Sequence, residues 1–506
     1  MNRTSDLRRT VLAAMMLPAL LGGCTTMAPP VARPTGEDAT RTQACTEWIE
    51  RLDAAIDAAG VRDGQAHRIG GLPTLRVDRF SAALQDRSGA SEEAFVAWIA
   101  RLRALDAEAR NHELANAPVQ ALTALGVADR RAAVERTGAC ADLLTQAVVN
   151  DPVVRASLAD RARVPDDYST LKRALGLYGI TSVPFSWGVE AWHRNATQMF
   201  RAAGTVGPSA DSVRHAPAAA PATAAQITGI HRRVRRDALG VPHFAPGDEE
   251  RLFEAYAPVF EIERTGPWDA TGRLVWQQDR TPVVDPSQPT VYRRLAFTRL
   301  RGEVLAQLVY TLWFPERPAD SAVDLLAGKL DGVVVRVTLD ARGAPLIYDT
   351  IHPCGCWHLF LPTPRLRTKA APGPRIEWAF SPATLPELQA GQRMVVRIAS
   401  RSHFVIDVRP DSGAAGVAYT LTQEDKLRAL ERPDGTTRSI YAPDGLVRGT
   451  ERPERFLFWP MGIDSAGAMR QWGRHATAFL GRRHFDDADL FDLRFEPVDT
   501  GNTTAP

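Results

Sequence analysis

The chain has 506 residues, with 61 Lys and Arg against 59 Asp and Glu. That balance excludes the basic surplus of a nucleic-acid binder, and the length exceeds what one hydrophobic core usually holds, so two domains are expected. Only four cations are lysines (Lys172, Lys329, Lys369 and Lys426), a bias that reads as codon usage rather than as phosphate binding.

In chain order, Arg3, Arg8 and Arg9 precede an apolar run from Val11 to Leu20. Its length of about 10 residues suits a signal-peptide core and is well short of the roughly 20 that span a bilayer. Leu21-Gly22-Gly23-Cys24 follows. This tetrapeptide resembles the lipobox of bacterial lipoproteins, whose cysteine is acylated and becomes the new N-terminus. The resemblance implies removal of residues 1–23, a lipid on Cys24 and attachment to the bilayer there. Thr25 stands where an Asp would, in that family, favour retention at the inner membrane, so the resemblance implies the outer membrane with the body in the periplasm. One acyl chain binds only marginally, but two or more anchor stably, and the family carries three. Residues 1–23 hold three of the basic residues and one of the acidic ones, which leaves the remainder formally neutral. Residues 24–39, with three prolines, read as a tether.

Residues 40–203 read as a helical domain. Phe95, Trp98, Ile99, Leu102 and Leu105 recur at helical spacing, as do Cys45, Trp48, Ile49, Leu52 and Ile56, and then Cys140, Leu143, Leu144 and Ala147. Cys45 and Cys140 thus each lie on an apolar helix face. In an oxidising compartment the economical inference is a disulfide between them, with two separate buried thiols as the alternative. Leu175 to Trp192 is apolar and aromatic. It is read either as packed against the rest of the protein or as dipping into a membrane interface, and Pro184 with its glycines argues against one continuous helix. The Ala/Pro-rich stretch 204–228 has linker composition.

From 229 to 500 the pattern is that of strands. Val333 to Leu339 has a period of two, Asp340 to Gly343 makes a turn, and Leu346 to Thr350 returns. Val304 to Phe314 is almost wholly apolar, as in a central strand, and pairs with 291–301 across Arg301-Gly302. Further strands are expected at 375–380, 394–399, 403–408 and 438–441, with Pro-Asp-Gly turns at Pro433 and Pro443, and a helix is expected at 466–482. Residues 501–506 read as a tail. The class is α+β: an N-terminal all-α domain, then a β-rich antiparallel domain with a C-terminal helix.

One segment concentrates chemistry. His352-Pro353-Cys354-Gly355-Cys356-Trp357-His358 places four soft or borderline ligands within seven residues, and thiolate and imidazole suit Zn(II) or copper. In a straight strand, alternate residues are about 6.6–6.8 Å apart, too far to share one tetrahedral ion. A common centre therefore needs the backbone to fold back at Pro353 and Gly355. A remote ligand would complete it, from His403 (in an expected tight turn), His475, His484, Asp486 or Asp487. The alternatives are a strained Cys354–Cys356 disulfide, which would be redox-active or a mere pin, or neither.

Complete catalytic motifs are missing. His112-Glu113 lacks the second histidine of a zinc-protease helix, Ser169-Thr170-Leu171-Lys172 lacks its companion elements and reads as a helix N-cap, and nothing matches a nucleotide-binding loop. Three function classes remain: a metal-dependent envelope protein, a non-catalytic binding or scaffold module, and a thiol–disulfide site. Beyond the bilayer at Cys24, the sequence names no partner.

Overall fold

The structure, a computed structural model, describes residues 37–498 apart from 278–280, 374, 390, 412 and 414. The signal segment 1–23, Cys24 and the tail 501–506 lie outside the described residues. The fold is α+β. Four long helices, α1 (Glu37–Ala59), α2 (Glu92–Asn116), α3 (Arg130–Asn150) and α4 (Tyr178–Thr205), precede most of the strands. The start of α1 takes up the end of the stretch read as tether. The helical region also holds a hairpin, His67–Ile69 with Leu72–Val77.

Helix starts follow local capping. Ser91, Asp129 and Ser169 each accept a backbone N–H three residues on, which satisfies a donor the helix cannot. Trp48, Ile49, Leu52, Leu114, Leu122 and Leu144 share one core, and Cys45 and Cys140 form a disulfide beside it that joins α1 to α3.

The expected linker 204–228 contains a strand. In chain order the large sheet is built from β1 (Ser212–Pro217), β2 (Val259–Glu263), β3 (Thr290–Leu300), β4 (Glu303–Arg317), β5 (Gly328–Leu339), β6 (Pro345–Ile351), β7 (Leu359–Pro362), β8 (Arg393–Ile398), β9 (Val405–Asp411) and β10 (Val417–Gln423). The spatial order is β7-β6-β5-β4-β3-β10-β1-β2-β8-β9. β3 to β7 form an antiparallel meander. β10 lies parallel to both β3 and β1, and β2 parallel to β8, so the sheet is mixed rather than purely antiparallel. In β1 the buried Ala216 packs with Val259 of β2 and Val395 of β8.

The meander follows from its turns. Arg301 and Gly302 both take positive φ (49° and 76°), as a two-residue hairpin turn requires, which sets Glu303 opposite Leu300. At the β5–β6 hairpin Asp340 accepts the backbone N–H groups of Arg342 and Ala344. Leu308, Tyr310, Leu312 and Phe314 of β4 share one core with Leu359 and Leu361 of β7 and Val405 and Val408 of β9. Strands from opposite ends of the sheet thus meet one core, and the sheet curls. The other face of β4 meets Ala296, Val334, Ile351 and Phe485.

The helical region and the sheet are not insulated. Ile69, Leu75, Phe80 and Trp98 pack with Leu239, Val241 and Val304, and buried Arg428 bonds both carboxylate oxygens of Asp63.

Four local expectations are corrected. Residues 375–380 are not a strand: Phe380 O accepts from Phe360 and Glu377 N–H donates to Leu480, isolated bonds rather than a ladder. Residues 466–482 are turns and bridges rather than a helix, because Gly467, Gly473 and Gly481 all sit at φ near +85°, which ends helical runs. The C-terminal helix is Leu490–Arg494. Conversely, α4 runs unbroken through Pro184, which lies exposed on its surface. Pairing at 438–441 shrinks to Thr437–Arg438 against Leu430–Glu431.

Cys140→Ser removes a cross-link spanning 95 residues. It is expected to lower the unfolding free energy by about 3–5 kcal/mol in non-reducing urea titration. A midpoint equal to wild type would show that the bridge contributes no stability.

Candidate functional site

The Cys/His segment joins β6 to β7, and its backbone does fold back. His352 N–H donates to Cys356 O at 3.0 Å, Gly355 N–H donates to His352 O at 2.8 Å, and Gly355 takes φ 89°. A Cβ at Gly355 would stand 2.5 Å from Ala476 O, so no larger residue fits the turn. Trp357 also takes positive φ, 61°, a rare state for a bulky residue. Its ring packs 5.0 Å from Trp192 and 4.6 Å from Phe404.

The turn nevertheless sends the four side chains to different partners. His352 Nδ1 donates to Asp331 Oδ1 at 3.2 Å, while His358 Nε2 donates to Asp349 Oδ2 at 2.8 Å. Asp349 is also forked by Arg336, its cross-strand neighbour, at 2.9 and 2.6 Å. Cys354 is buried with Tyr292, Trp313 and Leu330, and the Cys356 N–H approaches its sulfur at 3.4 Å. Among the described residues no three His, Cys, Asp or Glu side chains group as a metal site would require.

Of the remote candidates, His403 joins the His352 side. Its Nδ1 lies 2.9 Å from Asp331 Oδ2 and its Nε2 3.4 Å from Asp269 Oδ1, with the ring stacked on Phe314 at 3.9 Å. It sits at φ 53°, in the tight turn expected for it. His484 lies instead among Asp166, Asp167 and Asp487. His475 is buried with both ring nitrogens unpartnered, and Asp486 is buried with Oδ1 unpartnered, 3.8 Å from Arg79 at its other oxygen.

Protonation follows from burial and partners. Burial works against charge on Asp331, yet Arg452 at 3.3 Å with His352 and His403 holds its carboxyl well below the usual range. Burial alone would lower His403, but Asp269 and Asp331 on its two nitrogens outweigh it and raise it. Burial lowers His352 despite Asp331, and lowers His358 to about 3 despite Asp349. Both are therefore neutral at pH 7, and each keeps one unpartnered, buried ring nitrogen, Nε2 on His352 and Nδ1 on His358. His475 is lowered to about 3 by burial; His484, although buried, is raised to about 9 by Asp166 and Asp487. Burial raises Asp486. The paired thiols split: burial disfavours the Cys354 thiolate, but the bond from Cys356 lowers it, and the same bond raises Cys356. Burial pushes Glu454 up to about 7 against the pull of Arg452 and Arg317.

No protein-family model, curated protein or solved structure matches the chain.

A cavity of about 460 Å³ opens beside this turn. Phe185, Val189 and Trp192 of α4 form one wall, Trp357 and Phe479 another, and Phe458 closes toward the surface. Its polar lining is Cys356, His358, Glu377 and Glu454, and Trp192 Nε1 is a buried donor with no partner. The cavity draws on residues 184–192, 326, 356–358, 377, 454–458 and 479, and no sequence pattern announces it. A signal for the histidine partners did exist: Asp331, Arg336 and Asp349 interrupt apolar strand stretches, where buried charge requires pairing. A second cavity, of about 230 Å³, is lined by Arg101, Arg294, Trp472 and Asp486 between the helices and the sheet.

Asp331→Asn leaves Arg452 and the His403 imidazolium without a full counter-charge. The variant is expected to lose about 3–5 kcal/mol of stability in urea unfolding. A loss under about 1 kcal/mol would show that the cluster is not held by this carboxylate.

Proposed function

We propose that the chain is a membrane-tethered binding protein that holds an apolar, lipid-like ligand in the cavity between α4 and the Cys-Trp-His segment. The cavity carries this reading. Its volume lies within the range of small-molecule sites, and such sites pair apolar walls with a few placed polar groups. Here the polar groups are those of Cys356, His358, Glu377 and Glu454, the last a carboxyl that burial pushes up to about 7. None is a fixed cation, so the set suits an acyl chain ending in a carboxylic acid, ester or alcohol. Tethering at an acylated Cys24, with the body in the periplasm under the outer membrane, belongs to the same reading and rests on the lipobox.

Displacement of a fluorescent fatty-acid probe by palmitate measures the binding. Wild type is expected to bind, and Gly188→Trp, at the open cavity rim where nothing lies within 4 Å, to bind at least about tenfold more weakly. Gly179→Trp, on the same helix but outside the cavity lining, is expected to match wild type. Equal affinity in Gly188→Trp and wild type, or none in wild type, ends this reading.

A second reading, thiol–disulfide exchange, is favoured by the contact between Cys354 and Cys356 and by the exposure of Cys356 to the cavity. Both S–H bonds break and one S–S bond forms, while two protons and two electrons pass to an incoming disulfide, which becomes two thiols. Alkylation and mass counting after oxidised then reduced glutathione is expected to show both thiols protected and then both released. Thiols that stay alkylatable throughout would exclude it. Zn(II) or copper at His352, Cys354, Cys356 and His358 gains no support from the side-chain directions; elemental analysis of the purified chain tests it directly.

A further inference from the structure

We propose that the protein docks on a lipid bilayer through the face made by the start of α4 and the short helical segment 455–459. An amphipathic surface helix has one apolar side, and one that is apolar all round belongs in a core or in lipid. From Tyr178 to Trp192, α4 is apolar on both sides. Phe185, Val189 and Trp192 point into the cavity, while Ile180 (71% exposed) and Trp187 (64% exposed), with Pro184 between them, face out.

A distant segment doubles this surface. Phe456 (71% exposed), Leu457 and Trp459 are exposed beside it, since Phe458 packs on Phe185 at 5.3 Å and Pro460 fits against the turn at Gly176. Scattered exposed apolar residues are ordinary, but a joined aromatic patch marks an interaction site. Tryptophan beside aliphatic residues at a rim is the composition of a membrane interface.

Charge and chain length select lipid as the occupant. Arg455 stacks on Phe456, and Arg194 follows two turns after Trp187 on the same exposed side. Neither has a carboxylate partner among the described residues, which leaves cations for anionic headgroups. Glu190 is the exposed acid on that stretch, and Lys172 nearby is paired with Asp464. Glu37 lies 13 residues after Cys24, a reach of at most about 45 Å at 3.3–3.6 Å per residue, enough to let the body turn this face to the membrane that holds it. Pro184, Gly188 and Leu457 belong both to the patch and to the cavity rim, so the cavity opens onto the bilayer. That the ligand enters from lipid rests on the binding reading; the docking rests only on the exposed face and on the tether at Cys24.

The full chain, purified from the expressing cell, is incubated with vesicles of phosphatidylethanolamine and phosphatidylglycerol carrying brominated acyl chains, which quench indole on contact. Quenching is expected for the share of emission carried by two of the 11 tryptophans. It should disappear in Trp187→Phe/Trp459→Phe and in Ile180→Asp/Leu457→Asp, which keeps both indoles. Equal quenching in wild type and both variants, or none in wild type, overturns the docking. Palmitate binding on the same samples separates the two readings: quenching without palmitate binding sinks the cavity reading alone, and palmitate binding without quenching sinks the docking alone.

Discussion

A carboxylate shut away from water, Asp331, organises the β-rich half of the molecule. It is ion-paired with Arg452 and accepts from His352 and His403; the three come from the loop before residue 455, the end of β6 and the turn before β9. Moving such an anion out of water costs several kcal/mol, and only a nearly complete set of charged donors offsets it. With His403 protonated between Asp269 and Asp331, the group reads as two anions and two cations, locally neutral and tightly placed. Because His352 is committed there, the chain leaving β6 starts its turn in one direction only. Cys356 and Trp357 are thereby aimed at α4 and the cavity.

The same device recurs with other arginines. Arg76, Arg110, Arg336, Arg428, Arg452 and Arg483 are among the most deeply buried large side chains. Arg76 holds Asp106 and Glu113 within the helical region, Arg428 reaches from the sheet side to Asp63, and Arg294 joins Gln65 to Glu424 and Asp425. A guanidinium can bond two or three acceptors in one plane and stays charged when buried; a lysine ammonium does neither as well. The scarcity of lysine, which composition alone attributes to codon usage, thus coincides with a structural use for arginine at the junction between helices and sheet.

Much of the sheet was legible because its signals are local. The alternation at Val333 to Leu339, the unbroken apolar run at Val304 to Phe314 and the glycine turn at Arg301-Gly302 each depend on a few neighbouring residues. The Cys45–Cys140 bridge was legible because both cysteines fall on apolar helix faces. What failed depended on distant partners. Pro184 and its glycines weaken a helix in isolation, but packing against Trp357, Phe458 and Phe479 supports α4. At the Cys/His segment the sequence indicated the fold-back correctly. It did not indicate that Asp331 and Asp349, on adjacent strands but well apart in register, would claim the two histidines separately. Closeness in sequence, even with a fold-back, does not make convergence in space, and the carboxylates that separate the pair sit 21 and nine residues away from their histidines.

Cys356 and the docking face meet at one element. α4 presents the cavity wall on one side and the exposed Ile180–Trp187 stripe on the other, so any ligand in the cavity lies within one helix diameter of the surrounding medium. Cys354 sits deeper, behind Cys356 and among Tyr292, Trp313 and Leu330. Reagents from outside therefore reach the inner thiol only past the outer one, through space that an apolar ligand would fill. Binding and thiol access are then competing uses of one volume rather than two independent sites. The rim residues Pro184, Gly188 and Leu457 are where the cavity, the helix and the exposed apolar face coincide.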